Sequence, residues 1–503
     1  MPLATVLTRG QLGLQAPQVT VEVEPAGGLP GLVIVGLVET ALRESRQRVR
    51  AAIRSAGFEV PSRKITVNLA PADLPKAGGR YDLAIALGIL AATRQLPADR
   101  LAGWEFFGEL AFASGLRASP GLLPALVAAR AAGHRCVAPA AIAAEAALLD
   151  DEKVLLAEDL LGVVRQLRDE AKLPAADPPQ DATPHGVADL ADVRGQARAR
   201  RALEVAAAGG HNLLLIGPPG TGKSMLAQRL AGVLPPLSRA EALDCAMLRS
   251  VAGRPSGGLD LRPPFRAPHH GASAAAVVGG GVPPGPGEIS LAHNGVLFLD
   301  ELPEFSRTVL EALREPLETG RVCIARAGRS LEFPARFQLV AAMNPCPCGY
   351  AGDPRRECRC SAADVARYRN RLSGPFLDRM DMLLALQREP LTDDYLAIDG
   401  QGEPSAAVRE RVACARARQL SRGGCANRRL HGLKLRRDCR LERSGRRMFS
   451  AAVDRLQLSA RACDNSLRVA RTIADLAASE TIGSDQLAEA LSFRPGWPSG
   501  ERD

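Results

Sequence analysis

Eight consecutive residues in the middle of the chain match the pattern of a phosphate-binding loop. They are Gly217, Pro218, Pro219, Gly220, Thr221, Gly222, Lys223 and Ser224. Glycines let the backbone curl so that its N–H groups face phosphate oxygens, and the helix that follows adds the partial positive charge of its N-terminus. In this pattern the lysine reaches the β- and γ-phosphates and the hydroxyl binds Mg²⁺. The loop therefore predicts a site for ATP and Mg²⁺.

An acidic pair further along the chain completes this chemistry. Asp300 and Glu301 end the apolar run of residues 295–299. In phosphoryl transfer, one carboxylate holds the metal ion and another group positions the attacking water. We therefore expect Asp300 to hold Mg²⁺ through water and Glu301 to position and polarise the water.

Two more polar residues follow in positions similar to those of AAA+ ATPases. Asn344 ends the apolar run of residues 337–343 and fits the sensor-1 position, where an amide hydrogen-bonds water or the γ-phosphate. The segment around Arg379 resembles the one whose arginine reaches the ATP of a neighbouring subunit and stabilises charge on the transferred phosphoryl group. The alternative is an ion pair inside the chain, from Arg379 to Asp378 or Asp381.

Four cysteines lie close together after Asn344. Their two C-x-C pairs are Cys346, Cys348, Cys358 and Cys360. Four thiolates can surround a zinc ion tetrahedrally, which makes a structural zinc site one interpretation. The other is a loop with four reduced thiols. Because Arg355 and Arg356 make the same loop basic, it is also a candidate for contact with DNA.

Regular elements predicted from apolar periodicity surround these groups. Residues 212–216 form an expected strand directly before the phosphate loop, and residues 225–233 an expected helix after it. Residues 320–333 are expected to form a β-hairpin whose turn carries Arg326 and Arg329, two candidate DNA contacts.

The first part of the chain alternates between strand and helix patterns. Strands are expected at residues 31–36, 64–70 and 104–113, and helices at residues 39–55 and 82–93. Such alternation predicts an α/β or α+β domain.

Four regions follow from these patterns. Residues 1–170 form a first domain, and the proline-rich residues 171–188 a linker. Residues 189–388 form an ATPase core with a Gly/Pro-rich insertion near residues 255–287, and residues 389–503 a mostly helical unit.

Composition narrows the possible partners and the compartment. The 503 residues carry a net charge of +9, which permits binding to a polyanion. Eleven cysteines are spread over the chain, and neither a signal-peptide pattern nor an apolar run long enough for a membrane span is present. We expect a cytoplasmic protein, in which clustered cysteines bind metal more often than they form disulfides.

Several longer stretches resemble the ComM/YifB family of magnesium-chelatase-like AAA+ ATPases. They lie at residues 265–270, 286–295, 299–305 and 343–349. The resemblance implies an N-terminal Lon-like domain, an AAA+ core with a helix-2 insertion and a pre-sensor-1 hairpin, and a C-terminal helical lid. It also implies a homohexameric ring acting on single-stranded and branched DNA, a helicase for branch migration during natural transformation.

The resemblance assigns further roles with two departures from the family pattern. The lid of the family supplies a sensor-2 arginine to the nucleotide, and Arg461 and Arg468 are the candidates here. Relatives tend to have tyrosine and arginine where this chain has Cys463 and Asn465. Gly79 stands where relatives usually have serine, so the Lon-like domain lacks a nucleophile and is expected to be a scaffold or a DNA-contacting domain.

Other functions remain as alternatives to a DNA motor. One is a metal-chelatase-type ATPase that remodels another protein. A second is an ATP-dependent peptidase, which Gly79 disfavours. A third is a nucleotide-gated structural ring, which the set of Lys223, Asp300, Glu301, Asn344 and Arg379 disfavours.

Overall fold

Strands and helices alternate along most of the chain. The computed structural model describes residues 3–36, 39–74, 76, 78–178, 188–255, 257–281, 284–326, 329–388 and 402–494. The side chains of residues 39–42, 326 and 329 lie outside the described part.

The elements are numbered along the chain. The strands are β1 Ala4–Arg9, β2 Gln18–Ala26, β3 Gly31–Val35, β4 Lys64–Ala70, β5 Trp104–Phe106, β6 Glu109–Leu110, β7 Leu116–Arg117, β8 Arg135–Pro139, β9 Val154–Ala157, β10 Leu213–Ile216, β11 Phe265–Arg266, β12 Gly279–Gly280, β13 Gly285–Pro286, β14 Val296–Leu299, β15 Arg321–Arg326, β16 Arg329–Pro334, β17 Gln338–Met343 and β18 Met382–Ala385. The helices are α1 Glu39–Ser55, α2 Asp82–Ala92, α3 Leu122–Ala131, α4 Ala143–Ala147, α5 Leu160–Leu167, α6 Ala197–Gly209, α7 Lys223–Val233, α8 Arg239–Val251, α9 Ala274–Val278, α10 Glu288–Leu291, α11 Arg307–Ala312, α12 Arg314–Thr319, α13 Ala362–Arg369, α14 Gly374–Leu377, α15 Ser405–Gly423, α16 Gly432–Asp438, α17 Arg443–Leu456, α18 Ala460–Leu476 and α19 Ser484–Ser492.

The chain divides into two units. Unit 1 consists of Met1–Thr183, Arg239–Asp260 and Ala325–Phe333. Unit 2 consists of Pro184–Ser238, Leu261–Ile324 and Pro334–Asp503. The four region boundaries drawn from the sequence remain predictions.

Unit 1 is built on a seven-stranded mixed sheet with the order β3-β4-β2-β1-β5-β8-β9. β2 pairs antiparallel with β1 and β4, whereas the β1-β5-β8-β9 side is parallel. All of α2 is buried, because its residues are apolar except for Asp82 at the N-terminus. Asp82 accepts hydrogen bonds from Ser45 Oγ at 2.6 Å and from Arg48 Nε at 2.7 Å, which satisfies the buried carboxylate.

Helix α8 also belongs to unit 1, although it follows the phosphate loop and its helix in sequence. It packs against α3 in an apolar cluster that contains Leu123, Leu148 and Ala246. The backbone N–H of Gly121 donates to the carbonyl of Ser250 at 3.0 Å.

Unit 2 is built on a five-stranded sheet with the order β11-β14-β17-β10-β18. Every neighbouring pair in it is parallel. Each of β10, β14 and β17 is buried along its whole length, as expected for a parallel sheet covered on both faces. The hydrophobic core of unit 2 also contains residues of α6, α7, α15 and α18. The C-terminal helices α15 and α18 therefore share one core with the sheet.

The α/β fold class, the AAA+-like core and the C-terminal helical region predicted from the sequence are confirmed. The predicted helix at residues 39–55 matches α1, and the predicted strand at residues 64–70 matches β4. The single strand expected at residues 104–113 is instead split into β5 and β6. Gly108 separates them with φ of 139°, a conformation that a β-strand does not continue through. The Lon-like assignment of the first domain stays a prediction.

Candidate nucleotide and metal sites

The nucleotide-site candidates lie at one edge of the sheet of unit 2. The phosphate loop follows β10, Asp300 follows β14 after Leu299, and Asn344 follows β17. These three strands are adjacent and parallel. Their carboxyl ends therefore meet at the edge where ligands bind in open α/β sheets.

The phosphate loop has the backbone that its glycines predict. Gly220 and Gly222 adopt φ of 80° and 81°, which residues with a side chain rarely adopt. Gly222 is the N-cap of α7, which begins at Lys223. The loop thus leads directly into a helix N-terminus, the arrangement that binds phosphate.

Lys223 spans the loop and contacts the neighbouring strand. Its Nζ donates to the carbonyls of Gly217 at 2.8 Å and Pro218 at 3.0 Å, and to Asn344 Oδ1 at 3.1 Å. Burial lowers the pKa of Lys223, and the charges of Asp300 and Glu301 oppose that shift. The structure thus joins the predicted phosphate-binding lysine to the predicted sensor amide.

Ser224 and Asp300 come together as a candidate Mg²⁺ site. Ser224 Oγ donates to Asp300 Oδ2 at 2.5 Å, and Asp300 Oδ1 accepts from the Glu301 N–H at 2.9 Å. Mg²⁺ prefers oxygen ligands and is usually bound through one or two protein groups together with substrate phosphates. A hydroxyl and a carboxylate within hydrogen-bond distance fit such an ion.

Glu301 lies beside this pair and is open to solvent. Its backbone has φ of 51°, and its side chain is 58% exposed. An exposed carboxylate next to the predicted magnesium ligands is in a place where it can contact water.

Arg379 forms an ion pair inside the chain, but with a different partner from the two that the sequence suggested. Its Nη2 donates to Glu318 Oε1 at 2.7 Å, and Arg461 Nη2 donates to the same oxygen at 2.6 Å. Asp381 instead accepts from the Asn212 N–H at 2.8 Å and lies 3.3 Å from Arg428 Nε. Glu318 therefore connects the predicted finger with one candidate sensor-2 arginine.

The second lid candidate has a different environment. Arg468 Nε donates to the Leu430 carbonyl at 2.7 Å, and its Nη1 donates to Asn465 Oδ1 at 2.6 Å. Among the described contacts, neither Arg461 nor Arg468 reaches the phosphate loop of its own chain. The choice between them as sensor 2 remains a prediction.

The four clustered cysteines converge as a metal site requires. The Sγ atoms of Cys346, Cys348, Cys358 and Cys360 all lie within 4.8 Å of one another. Cys346 Sγ lies 3.4 Å from Cys348 Sγ and 3.6 Å from Cys358 Sγ. A tetrahedral ion with bonds of about 2.3 Å needs sulfur atoms about 3.8 Å apart. The cluster can therefore hold a metal ion.

The surroundings of the cluster favour a thiolate at Cys348 but not at every member, because burial and the neighbouring thiols raise the pKa of Cys360 and raise that of Cys358 to about 12. The backbone N–H groups of Cys348 and Ala351 donate to the sulfurs of Cys360 and Cys346. Burial opposes ionisation of Cys348, but hydrogen bonds from Tyr350, Arg359 and the neighbouring thiols outweigh it and lower the pKa of Cys348 to about 6. A thiolate is the form that binds metal.

Of the four arginines expected to contact DNA, the structure describes the side chains of Arg355 and Arg356. Arg355 and Arg356 are exposed on the cysteine loop. The Arg356 guanidinium lies 4.1 Å from the centre of the Tyr350 ring, and its Nη1 donates to the Tyr350 hydroxyl at 2.7 Å. The predicted hairpin is present as β15 and β16, but the side chains of Arg326 and Arg329 lie outside the described part.

Gly79 in unit 1 lies against the side chain of Glu109. A Cβ atom placed on Gly79 would lie 2.3 Å from Glu109 Oε2 and 2.5 Å from its Cγ. The Glu109 side chain thus occupies the place that a side chain at position 79 would take, and the expectation that this domain lacks a nucleophile stays a prediction.

The five-stranded parallel sheet, its phosphate loop and the acidic pair on a neighbouring strand define a P-loop ATPase of the AAA+ class. Three family models match the chain. "Magnesium chelatase, subunit ChlI" matches residues 189–393, "Subunit ChlI of Mg-chelatase" residues 21–142, and "Magnesium chelatase, subunit ChlI C-terminal" residues 402–494.

Curated relatives match almost the whole chain. The chain is 48% identical over 502 residues to the competence protein ComM of Haemophilus influenzae, covering 98% of each protein. It is also 48% identical over 498 residues to YifB of Salmonella typhimurium, covering 98% of this chain and 97% of YifB. The chain therefore belongs to the ComM/YifB family of magnesium-chelatase-like proteins.

A more distant relative shares a shorter region. The chain is 28% identical over 151 residues to the magnesium-chelatase 38 kDa subunit of Cereibacter sphaeroides, covering 26% of this chain and 45% of that subunit.

No sequence motif predicts the following three contacts in unit 2. His270 Nδ1 lies 3.2 Å from Glu301 Oε2. Glu318 binds Arg379 and Arg461, as described above. Arg388 Nη2 donates to the Pro219 carbonyl of the phosphate loop at 3.0 Å.

Proposed function

We propose that this protein is a cytoplasmic, ring-forming AAA+ ATPase that couples ATP hydrolysis to movement along DNA. Its task would be helicase activity and branch migration of recombination junctions during DNA uptake and transformation. The observation that carries the proposal is the near-complete match to a relative named as a competence protein. The gathering of Lys223, Ser224, Asp300 and Asn344 at one sheet edge supports the ATPase part.

In the proposed reaction, Lys223 and the backbone of the phosphate loop bind the β- and γ-phosphates. Ser224 and Asp300 would hold Mg²⁺, which neutralises charge on the phosphates. Glu301 orients a water molecule and accepts its proton as the oxygen attacks the γ-phosphorus. The bond from the γ-phosphorus to the bridging oxygen breaks, giving ADP and inorganic phosphate. Asn344 would hydrogen-bond the water or the γ-phosphate.

Self-association would complete this site. In the proposed homohexamer, Arg379 of each chain reaches the ATP held by its neighbour and stabilises charge on the transferred group. In the single chain the Arg379 side chain is paired with Glu318 and only 10% exposed. Arg379 must therefore break this ion pair to act on the ATP of a neighbouring chain. Arg461 would move with the same pair.

The proposed DNA contacts are basic groups on different elements. They are Arg326 and Arg329 of the hairpin turn and Arg355 and Arg356 of the cysteine loop. A net charge of +9 favours a polyanion as partner. Phosphate contacts of this kind give affinity that falls steeply with salt.

For the metal cluster we propose one structural zinc ion bound by the four cysteines. Soft thiolate ligands in a tetrahedral set select zinc or iron–sulfur chemistry over Mg²⁺. A four-cysteine set leaves no open position for a reactant, so the proposed role is structural.

The alternative function is a chelatase-type ATPase that remodels a protein. The observation in its favour is that all three matching family models describe magnesium-chelatase subunits. The two proposals differ in the polymer on which the ring acts, and DNA dependence of turnover separates them.

The deciding experiment measures ATP turnover without DNA, with single-stranded DNA, and with three- and four-stranded junctions. We expect DNA to stimulate turnover and salt to weaken that effect. Glu301→Gln should retain binding of a fluorescent ATP analogue and abolish hydrolysis. Turnover that ignores every DNA would support the chelatase-type alternative, and full turnover in Glu301→Gln would remove this residue from its role.

A further inference from the structure

The loop that carries the four cysteines begins almost at the nucleotide site. We call residues 346–360 the cysteine knuckle. Cys346 follows Asn344 by two residues, and the Asn344 side chain accepts from Lys223 at 3.1 Å. The knuckle has turns and bends but neither helix nor strand. Its conformation therefore depends on side-chain packing and on any metal ion bound by its four sulfur atoms.

One wall of the knuckle lies directly against the phosphate loop. A Cβ atom placed on Gly349 would lie 2.7 Å from Pro219 Cδ, 2.8 Å from Pro219 Cγ and 3.8 Å from Asn344 Cγ. Such distances to Pro219 leave no room for any side chain at position 349. Pro219 therefore packs on the backbone of the knuckle, between the second and third cysteines in sequence.

Arg388 forms a second connection between the two loops. Its Nη2 donates to the Pro219 carbonyl at 3.0 Å, and its Nε lies 3.5 Å from Asp353 Oδ2 in the knuckle. The Asp353 side chain is fully buried. Moving the knuckle would separate this buried carboxylate from the guanidinium of Arg388, whose side chain is 30% exposed, and a buried carboxylate that loses its charged partner is destabilised.

We propose that a metal ion in the cysteine knuckle controls the shape of the phosphate loop, so that nucleotide affinity depends on metal occupancy. Bonds from one ion to four sulfurs fix the knuckle, and the fixed knuckle holds Pro219 through Gly349 and Arg388. The same bonds hold the strand end that presents Asn344 to Lys223. The inference rests on the proposed ATP site but is independent of DNA.

The test compares metal content with nucleotide affinity. The full-length protein is purified under reducing conditions, its metal is quantified, and the fluorescent analogue mant-ATP is titrated with Mg²⁺ present. Zinc is then removed with a thiol-directed mercurial and a chelator, followed by excess reductant. We expect the affinity for mant-ATP to fall at least tenfold and to return when zinc alone is added back. Unchanged affinity in the metal-free protein would overturn the proposal.

A pair of glycine variants separates the coupling from simple loss of folding. Gly349→Ala leaves all four cysteines in place, but its methyl group clashes with Pro219. This variant should retain zinc and bind mant-ATP about tenfold more weakly. Gly352→Ala is the matched control. Gly352 has φ of 77°, close to the 86° of Gly349, but its Cβ position faces open space. It should match the wild type in both zinc content and affinity, and equal affinities in the two variants would contradict the coupling.

Failure of this inference can be told from failure of the proposed function. A zinc-loaded wild-type protein that does not bind mant-ATP at all would contradict the proposed ATP site. A wild-type protein that binds mant-ATP equally well with and without zinc would contradict only the coupling. Arg388→Ala gives an independent check, because it should keep zinc and weaken mant-ATP binding through loss of the Pro219 contact.

Discussion

His270 Nδ1 lies 3.2 Å from a carboxylate oxygen of Glu301, the residue proposed to position the attacking water. The His270 ring packs on that of His269, with ring centres 4.1 Å apart. At the base of the same insertion, Arg266 binds Glu288 through two hydrogen bonds of 2.6 and 2.8 Å. His270 thus connects the insertion to the carboxylate that we propose positions the water.

The first prediction is that His270→Ala raises ATP turnover in the absence of DNA. His270 competes with water for the Glu301 carboxylate, so its removal frees an oxygen. We expect an increase of about fivefold, since a partly exposed contact between an imidazole and a carboxylate contributes up to about 1 kcal/mol. Steady-state turnover at saturating ATP is the measurement.

The control for His270→Ala is His269→Ala, which removes the neighbouring ring, tilted by 33° against that of His270, and leaves the contact with Glu301 in place. It should leave turnover near the wild-type value. A fall in turnover in His270→Ala would mean that the histidine holds Glu301 in its working position instead of competing with water.

The sequence predicts the chemistry of the nucleotide site because that chemistry is encoded in short contiguous motifs. Residues 217–224 and the pair at Asp300 and Glu301 each carry their own strand and helix signals. Parallel pairing of adjacent strands then brings these motifs together without any further specific contact. The cysteine cluster is predictable for the same reason, as its ligands lie within 15 residues of one another.

Contacts between side chains that are distant in sequence could not be predicted in this way. Glu318 reaches Arg461 across 143 residues, and Arg388 reaches the Pro219 carbonyl across 169. A single exposed glutamate or arginine has many possible partners, and local periodicity does not choose between them. The placement of α8 in unit 1 is a comparable case, because only its packing against α3 reveals it.

The second prediction concerns Arg379 as a group that acts on a neighbouring chain. Arg379→Ala should lower turnover by about 10³-fold, the effect typical of an arginine that stabilises the transferred phosphoryl group. Binding of mant-ATP should stay close to that of the wild type, because the phosphate loop is intact. Mixing Arg379→Ala chains with Lys223→Ala chains should restore part of the turnover. Where the phosphate loop of an Arg379→Ala chain faces a Lys223→Ala neighbour, the shared site again contains both Lys223 and Arg379.

The same mixing experiment can contradict the role of Arg379 in a neighbouring chain. Mixtures that stay as inactive as either variant alone would place Arg379 in its own chain, as a structural partner of Glu318. Arg100→Ala serves as the control, because Arg100 forms an exposed pair with Asp169 in unit 1 at 2.5 Å and should leave turnover unchanged.

The third prediction tests the hairpin as a DNA contact. The double variant Arg326→Ala with Arg329→Ala should reduce stimulation by single-stranded DNA to nearly none. The dependence of log affinity on log salt should become shallower by about 1.4, because each lost phosphate contact on single strands contributes about 0.7. Fluorescence anisotropy of labelled DNA at several salt concentrations measures the slope.

A charge-matched control accompanies the hairpin variant. Arg54→Ala with Arg100→Ala removes the same net charge from exposed positions of unit 1. The salt slope of this control should equal that of the wild type. If both double variants change the slope equally, the effect comes from net charge and the hairpin assignment is wrong.

The fourth prediction is that buried His211 makes unit 2 sensitive to acid. Its Nε2 lies 2.8 Å from Thr472 Oγ1, and its side chain is fully buried next to β10. Burial lowers the pKa of His211 to about 4; the Asp381 carboxylate opposes the shift, whereas Arg428, Arg468 and Arg416 add to it. The ordinary pKa of histidine is about 6.5. Between these two values the unfolded chain binds a proton that the folded chain does not.

Stability from this residue is therefore complete above pH 6.5 and is lost as pH falls through 6.5 towards 4, by about 2 kcal/mol at pH 5. His211→Gln removes this proton uptake by the unfolded chain, and its amide can still hydrogen-bond Thr472. The urea midpoint of His211→Gln should fall less between pH 7.5 and pH 5 than that of the wild type, whatever its value at pH 7.5. His431→Gln, at an exposed histidine, should follow the wild type. An equal fall in all three proteins would show that His211 is protonated as readily in the folded chain as in the unfolded one.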